Sequence, residues 1–402
     1  MGGCAGVDWA KDEHAVLVAD GQGEVIVERS FVHDEEGIAA LCRLLVGLEV
    51  ERVALERPDG LLVERLLDAG LCVLALHPNQ VKAARPRFRS QGKSDRFDAW
   101  VLCELARTDG HRFRALTPDS DATKTLRALT RARDDLVATR VGLANQLRAE
   151  LERFWLGAGT LFADVDSQIA LAFLERYPSP RDARGLGEKR LGAFLSRHGY
   201  CGRRTSAQLL GRLRAAPEGR AGELETEARR GIVLALVASL RPLVSRISEL
   251  EREIAHALRC HPDGAIFRSL FRDPKSVITA AALLAEIGDS RLRYPSPEAL
   301  AADGGMSAVA VESGKRKHAA FRWACDKRLR NALATLANTS RHHNAWAGDL
   351  YAGARGRGHD HQRAIRTVGR AWSRVLWRMW QDRRPYDPTR HRALQRQLAL
   401  EG

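Results

Sequence analysis

The 402-residue sequence has no CxxC pair and no uninterrupted apolar run near the roughly 20 residues that a membrane-spanning helix needs. We therefore expect no membrane partner. The opening stretch MGGCAGVDWAKDEH lacks a basic region followed by a long apolar segment, so we expect no secretory signal and a cytoplasmic protein. The seven cysteines are widely spaced, which excludes a disulfide framework and a zinc knuckle and predicts reduced, mostly buried thiols.

Acidic residues are in deficit. The chain has 64 Lys and Arg against 50 Asp and Glu, a net charge of +14. Such an excess is typical of proteins that bind polyanions, because each neutralised phosphate releases condensed counterions, so nucleic acid is the leading partner. Arginine outnumbers lysine, as a GC-rich genome also produces, so charge alone leaves open a basic protein without an acidic partner.

The first 118 residues predict an α/β domain. Residues 4 to 32 alternate apolar and polar positions around DGQGE, which predicts a β-hairpin. There follow the helix EEGIAALCRLLVGL, the strand RVALE, the helix LLVERLLDAG, the strand CVLALHP and a helix opening at Ser94. This order predicts a mixed sheet covered by helices, with functional groups at the carboxyl ends of neighbouring strands.

The remainder of the chain is predicted to be mostly helical. Apolar residues at three-four spacing predict two long helices with coiled-coil character, one over about 123 to 154 and one through Leu236 to Leu258. A helical insertion over 157 to 228 separates them. They are predicted to pair in one chain or between chains, with oligomerisation favoured. We assign 119–262 to this segment, 263–392 to a basic C-terminal domain and 393–402 to a tail.

Four acids are the first candidate site. Asp95 and Asp98 are three residues apart, so a helix places both carboxylates on one face. Asp8 and Glu56 each end a strand of the same predicted sheet, and hard oxygen ligands of this kind suit Mg²⁺ or Mn²⁺ at a phosphate. Taken singly, Ser94 or Asp95 is equally a helix N-cap, Asp98 a favourable first-turn charge, Asp8 a solvated strand end and Glu56 the partner of an arginine.

The second candidate is the stretch VESGKRKHAAFRWACDKRLRNAL, in which Ser313 precedes a glycine and a basic run. By pattern alone a Ser-Gly pair is usually a turn, and a serine hydroxyl is a weak nucleophile without an activating group. Nearby cations would stabilise an anionic transition state. The basic residues predicted to contact nucleic acid here and before Ser94 are Lys93, Lys315, Arg316, Lys317, Arg322, Lys327, Arg328 and Arg330.

The third candidate is the helix RAIRTVGRAWSRVLWRMW. At about 100° per residue one side carries arginines and the opposite side carries apolar residues. The basic side suits nucleic acid and a merely solvated face equally well. Its predicted contacts are Arg363, Arg366, Arg370, Arg374 and Arg378, opposite Ile365, Val368, Trp372, Leu376 and Met379.

Together these stretches resemble the DEDD-type transposases of bacterial insertion sequences over most of the chain. The resemblance is carried by GVDWAKDEH, VALERPDG, GKSDRFDA, LLAEIGD, ESGK, FRWACDKRLRNAL and YDPTRH. It implies a first domain similar to the Holliday-junction resolvase RuvC, with a ribonuclease-H-like fold. It also implies that Asp8, Glu56, Asp95 and Asp98 bind divalent metal.

The resemblance further implies that Ser313 is a nucleophile that becomes covalently joined to DNA. It implies a homo-oligomer, a dimer or tetramer, held by the coiled coil, in which the acidic domain of one subunit meets the serine domain of another. A structured guide RNA, the bridge RNA of the element, would pair with donor and target DNA and choose the sequence, as in other RNA-guided systems.

We therefore expect an RNA-guided transposase of a mobile element. One alternative is a metal-dependent nuclease or junction resolvase in which water attacks and Ser313 only lines a turn. Another is a non-catalytic nucleic-acid-binding descendant, raised by the stretch SLFRDPKSVITAA around Val277, where related sequences often have a glycine turn.

Overall fold

The computed structural model describes residues 2–88, 94–217, 219–271, 273, 276–313 and 316–391, with the backbone alone at 311–313 and 316–318. Lys93, Lys315 and the tail from 393 therefore lie outside the described residues. The chain divides into two compact units. One comprises Met1–Ser120 with Gly288–Ala299, and the other comprises Asp121–Ile287 with Leu300–Gly402.

The first unit contains a five-stranded mixed sheet in the order β3-β2-β1-β4-β5. β1 pairs with β2, and β2 with β3, in antiparallel fashion, whereas β1 with β4 and β4 with β5 are parallel. The strands are β1 Cys4–Trp9, β2 Glu13–Ala19, β3 Val25–Val32, β4 Arg52–Leu55 and β5 Val73–Ala75.

The predicted hairpin is correct for β2 and β3, which flank DGQGE, but the stretch before it forms two strands rather than one. The chain reverses at residues 10–12, between β1 and β2. No glycine or proline marks this reversal, so the alternating pattern continues through it and conceals the turn.

Helices cover both faces of this sheet, which confirms the predicted mixed α/β architecture. Ile38 and Leu66 pack with Val16 and Val18 on one face. The intervening Leu17 instead packs on the other face, with residues of the two later helices. The helices are α1 Glu35–Gly47, α2 Leu61–Asp68, α3 Pro78–Ala84 and α4 Asp95–Asp109.

The second unit is mostly helical, with one two-stranded antiparallel sheet among its described residues. Its core includes the fully buried rings of Trp372, Trp380 and Phe173. Its first elements are α5 Asp121–Phe154, α6 Leu156–Gly159, α7 Gln168–Arg176, α8 Glu188–Arg197, α9 Ser206–Ala215, α10 Glu223–Cys260, α11 Gly264–Arg268 and α12 Val277–Ile287. The remaining elements are β6 Val309–Ser313, β7 Arg316–Ala320, α14 Lys327–Ser340, α15 Ala345–Gly356 and α16 His361–Asp382. Helix α13, Pro297–Asp303, crosses the division of the chain between Ala299 and Leu300.

The two predicted long helices are α5 and α10, and they pack antiparallel against each other within one chain. Arg133 of α5 pairs with Glu251 of α10 at 2.6 Å, and Arg229 of α10 pairs with Glu150 of α5 at 2.6 Å. Arg133 therefore interrupts the apolar seam to form an ion pair across it. The insertion between the two helices is helical, α6 to α9, as predicted.

Two expectations about the interior and the membrane need correction. Among the described cysteines, Cys4 and Cys103 are buried, whereas Cys201 and Cys260 are exposed and the others are intermediate, so the thiols are not mostly buried. The sequence predicted no helix able to cross a membrane, yet α10 is long and apolar enough by length and composition. Core helices of soluble proteins also meet that criterion, and Leu240 and Ile254 of α10 are fully buried.

Candidate functional site

The first turn of α4 carries two of the four predicted acids. Ser94 caps the helix, with its hydroxyl accepting a hydrogen bond from the Phe97 amide at 3.2 Å. This fixes the N-cap at Ser94 and leaves the Asp95 carboxylate for other contacts. Asp95 is exposed, but Asp98, one turn further on, is only 4% exposed.

Gly6 brings α4 unusually close to the central strand β1. A Cβ atom at this position would lie 1.9 Å from the Ala99 carbonyl oxygen and 2.4 Å from the Cys103 nitrogen. Only glycine permits this approach. Because alternate strand residues share a face, Asp8 lies on the same side of β1 as Gly6, toward the start of α4.

The remaining acid follows the neighbouring parallel strand. β1 and β4 run parallel, with Gly6 opposite Ala54, so their carboxyl ends lie at one edge of the sheet. Glu56 lies two residues after Ala54, and Ala54 packs on the face that α4 covers. Strand direction, the glycine contact and the Ser94 cap thus bring all four acids to one edge, which we call the acid edge: Asp8, Glu56, Asp95 and Asp98.

The charges of these carboxylates act on one another. Burial, and then repulsion from Asp98, Asp95 and Glu56, raises the pKa of Asp8 to about 6, against the opposing effect of Arg85. Like charges this close make ionisation of the Asp8 carboxyl more costly. The acid edge is therefore a place where added positive charge is favourable.

Arg85 supplies part of that positive charge. Its position near the acids was not predicted from the sequence. Its Nη2 atom lies 2.9 Å from Asp98 Oδ2 and 3.9 Å from Glu56 Oε1. Arg85 begins a short 3₁₀ turn, Arg85–Phe88, that also contains Arg87. The stretch ARPRFR offers several arginines, and only the fold distinguishes the one that reaches the acids.

The donor atoms of the acid edge are of the kind that a divalent cation prefers, but the side chains lie too far apart to bind one in this arrangement. Asp98 Oδ1 is buried and has no hydrogen-bond partner in the described structure, and the other donors are hard carboxylate oxygens. Within the described residues, no three His, Cys, Asp or Glu side chains converge closely enough to hold a metal ion. Entry of a cation would therefore require the carboxylates to draw together.

Ser313 lies at the end of a β-hairpin in the second unit. β6 and β7 pair antiparallel, with Val309 opposite Ala320 and Ser313 opposite Arg316. Ser313 is thus the last paired residue before the connection between the strands. Arg316 and Lys317 lie on β7, where only their backbone is described.

The basic residues after this hairpin differ in exposure and in contacts with the rest of the protein. Lys327 is exposed at the start of α14. Arg328 instead contacts α5, with its Nη2 atom 2.9 Å from Asp135 Oδ1. Arg322 donates to the Ser307 carbonyl at 3.3 Å, and the Arg330 guanidinium lies 5.8 Å from the centre of the Phe321 ring.

Helix α16 has the two faces predicted for it. The five apolar residues of the predicted stripe are all buried. On the opposite side Arg366 is half-buried, and Arg378 pairs with Asp382 at 2.7 Å. The remaining arginines of this side are exposed: Arg363, Arg370 and Arg374.

Comparison with known proteins covers both units. Residues 5–156 match a family model described as a transposase of the DEDD type named for IS110. Residues 276–352 match a model described as "Transposase IS116/IS110/IS902 family". The first match includes the acid edge, and the second includes the β6–β7 hairpin and α14.

Two relatives are similar to the chain along nearly all of its sequence, and a third is similar along about half of it. The mini-circle putative transposase for IS117 of Streptomyces coelicolor is 30% identical over 96% of this chain and 95% of the relative. An uncharacterized 44.8 kDa protein of insertion element IS116 from Streptomyces clavuligerus is 28% identical over 95% of this chain and 96% of the relative. The putative transposase y4uE of Sinorhizobium fredii is 36% identical over 48% of this chain and 56% of the relative.

Proposed function

Because the chain belongs to the IS110/IS116/IS902 family of insertion-sequence transposases, we propose that it cuts and rejoins DNA strands with a divalent metal at the acid edge and Ser313 as nucleophile. The substrate would be the ends of its own mobile element and a target DNA. We expect it to act on nucleoid DNA in the bacterial cytoplasm.

The observation that carries this proposal is the acid edge itself. Asp8, Glu56 and Asp98 lie far apart in the sequence, yet repulsion from the other acids adds to burial in raising the pKa of Asp8 to about 6. A fold gains no stability from gathering like charges, which cost free energy unless a cation joins them. Such an arrangement is typical of groups kept for chemistry.

Asp8, Glu56, Asp95 and Asp98 would hold Mg²⁺ or Mn²⁺. When bound, such an ion neutralises charge that develops on a phosphate during displacement. Asp98 is the ligand best fixed by the fold, since it is 4% exposed and lies one turn inside a capped helix. Asp95 is exposed at the start of α4 and would be the more adjustable ligand.

Ser313 would carry the covalent step. Its Oγ atom would form a bond to the phosphorus of one phosphodiester while the bond from phosphorus to one strand oxygen breaks. The proton of the serine then leaves on the released strand hydroxyl. Attack by the hydroxyl of a second strand would re-form a phosphodiester and return the proton to serine, so no external energy source is required.

The basic residues would hold nucleic acid around this chemistry. Arg363, Arg370 and Arg374 are exposed on α16, and Lys327 is exposed on α14. We extend the same role to Lys93, Lys315, Arg316 and Lys317 from their place in the sequence. A structured guide RNA would choose the DNA sequence by base pairing, while the protein contacts the backbone.

We propose that the active chain is a homo-oligomer in which one subunit's acid edge serves another subunit's Ser313. The α5–α10 hairpin supports this, because it leaves apolar side chains exposed: Val141 is 45% and Ile232 is 47% exposed. A mixture of Asp98→Asn chains and Ser313→Ala chains should restore strand cleavage that neither variant shows alone. Failure to restore it would place both groups in one subunit.

The test of the serine step uses full-length protein, Mg²⁺, element-derived RNA and end-labelled junction DNA on a denaturing gel. Wild type should give a covalent protein–DNA band, and Ser313→Ala should give none. Ser307→Ala, in the same segment before β6, is the matched control and should keep the band. Mg²⁺-dependent cleavage by Ser313→Ala without any band would instead establish the nuclease or resolvase alternative.

A further inference from the structure

Trp323 is an exposed indole in a basic stretch of the second unit. It is 80% exposed, and it is the one aromatic residue among the large hydrophobic side chains found exposed in the described ranges. The stretch FRWACDKRLR around it contains four basic residues and one acidic residue. An apolar ring that remains in solvent adds little to the stability of the fold, and such exposure is typical of a surface that binds a ligand.

Neighbouring residues hold the ring in place. The Phe321 ring lies edge-on to Trp323, with centroids 4.9 Å apart and an interplanar angle of 81°. The Trp323 carbonyl accepts a hydrogen bond from the Cys325 amide at 3.0 Å. The ring is therefore presented by an ordered segment, and its ordering would cost little on binding.

Two arginines lie against the Phe321 ring of this aromatic pair. The guanidinium of Arg366, from α16, lies 5.1 Å from the Phe321 ring centre, and that of Arg330 lies 5.8 Å from it. The one acid in the stretch, Asp326, accepts hydrogen bonds from the Arg328 and Leu329 amides as the cap of α14. An aromatic face bordered by arginines is typical of a surface that stacks a base and contacts the adjacent phosphates.

We infer that Trp323 stacks on an unpaired base of nucleic acid beside the β6–β7 hairpin. A base inside a duplex already has neighbours on both faces, so the indole would find a free face only on a single-stranded or flipped base. This inference rests on the proposed function, and it identifies the ligand as a single-stranded segment. Phe321 is a positioning residue in this arrangement.

The test compares two short fluorescent single strands by anisotropy, one ordinary and one with several bases removed to leave abasic sites. Wild type should prefer the ordinary strand by about 5- to 160-fold, the range expected for one base–aromatic stack. Trp323→Ala should lose this preference with an unchanged salt dependence, while Trp323→Phe keeps most of it. Leu224→Ala is the matched control, since Leu224 is 90% exposed but lies between Glu223 and Glu225.

Three results would overturn the inference. If Trp323→Ala weakened binding of both strands equally, the indole would support the local structure and would not stack on a base. A changed molecular mass in light scattering, with unchanged strand binding, would make Trp323 a subunit contact. Failure of wild type to bind either strand would refute a single-stranded ligand, whereas a covalent band with Trp323→Ala would leave the proposed function standing.

A second inference comes from the contact between Arg85 and the acid edge. Arg85 Nη2 lies 2.9 Å from Asp98 Oδ2, yet Arg85 Nε and Asp98 Oδ1 are both buried without hydrogen-bond partners in the described structure. A bidentate arginine–aspartate pair would have satisfied both atoms. The contact is therefore only half of the pair that these two groups are able to form.

We propose that Arg85 is a resident counter-ion that a divalent cation displaces from Asp98. The guanidinium offsets repulsion among the acids, and its single contact leaves Asp98 Oδ1 available to an entering ion. Because Arg85 and the ion compete for the same carboxylate, occupancy by Arg85 weakens the apparent affinity for metal. This proposal depends on the metal part of the proposed function and not on Ser313.

The test measures Mn²⁺ binding by the free-ion EPR signal, with no DNA and no turnover. Arg85→Gln should bind Mn²⁺ about tenfold more tightly, corresponding to an arginine that occupies Asp98 roughly nine times in ten. Arg85→Lys, which keeps the charge and serves if the glutamine variant misfolds, should bind about as weakly as wild type. Arg87→Gln is the matched control on the same turn, because Arg87 is 62% exposed and lies 3.6 Å from Asp109.

Weaker Mn²⁺ binding by Arg85→Gln would overturn the proposal, because it would show that Arg85 positions the Asp98 carboxylate for the ion. Equal effects of the Arg85 and Arg87 substitutions would also overturn it, since net charge alone would explain both. If wild type and all of these variants bind no Mn²⁺, the acid edge is not a metal site, and both this inference and the metal part of the function fail.

Discussion

The acid edge and the arginine face of α16 differ in where their charges lie: partly buried at the first and exposed to solvent at the second. At the acid edge Asp98 is 4% exposed and its repulsion helps raise the pKa of Asp8. On α16 the charges of Arg370 and Arg374 lie in solvent, over a buried apolar stripe. Gathering carboxylates at the acid edge lowers the stability of the folded state. Placing arginines in solvent on α16 changes that stability very little. We therefore propose that catalysis depends on the acid edge and nucleic-acid affinity on α16, and substitutions can test each role separately.

The largest expected effect follows from Asp98→Asn. It should lower the rate of strand cleavage by about 10³-fold or more, the size seen when a member of a catalytic group is removed. Binding of nucleic acid, measured by anisotropy, should stay within about twofold. Asp109→Asn, at the other end of α4, is the control and should keep the cleavage rate. Equal loss of binding and cleavage in Asp98→Asn would mean that this carboxylate supports the fold.

A smaller effect, of the opposite kind, is expected from Arg370→Gln combined with Arg374→Gln. The pair should weaken DNA binding and reduce the slope of log K against log salt by about 1.8, since each phosphate contact contributes about 0.9. Arg241→Gln combined with Arg246→Gln removes the same charge from α10, outside the predicted basic face of α16, and should leave the slope almost unchanged. Equal slopes for the two double variants would reduce the role of α16 to net charge.

The smallest expected effect is on stability and comes from Asp8→Asn. A carboxyl whose pKa rises to about 6 on folding favours the folded state at low pH and loses that contribution as pH rises through 6. The variant should therefore melt roughly 2 °C above wild type at pH 8 and close to wild type at pH 4. Scanning calorimetry at both values measures this, and Mg²⁺ should narrow the gap at pH 8. A variant less stable than wild type at pH 8 would show that Asp8 is held by favourable contacts.

Local patterns place each of the four acids near the boundary of an element, whereas their role as a metal site stays a prediction. Ser94 predicts the start of α4, and the stretch RVALE predicts β4. The three-residue spacing places Asp95 and Asp98 one helical turn apart. Proximity to Asp8 then follows from strand order and from the close approach at Gly6. The reversal between β1 and β2 was missed because it has no glycine or proline.

Contacts between distant side chains were beyond the reach of sequence patterns. Nothing in ARPRFR distinguishes Arg85, which reaches Asp98, from Arg87, which lies near Asp109. Nothing in FRWACD shows that Trp323 is exposed while Phe321 lies beneath arginines. Likewise, heptad spacing allowed α5 and α10 to pair in one chain or between chains, and only the Arg133–Glu251 and Arg229–Glu150 contacts identify the pairing within the chain.

The most direct test of the account locates the covalent bond. The protein–DNA adduct is trapped with full-length protein, digested with nuclease and trypsin, and analysed by mass spectrometry. We predict nucleotide on the tryptic peptide 294–315 at Ser313, dependent on Mg²⁺ and absent from Asp98→Asn. An adduct on another residue, or cleaved strands that accumulate with Mg²⁺ while this peptide stays unmodified, would contradict the account.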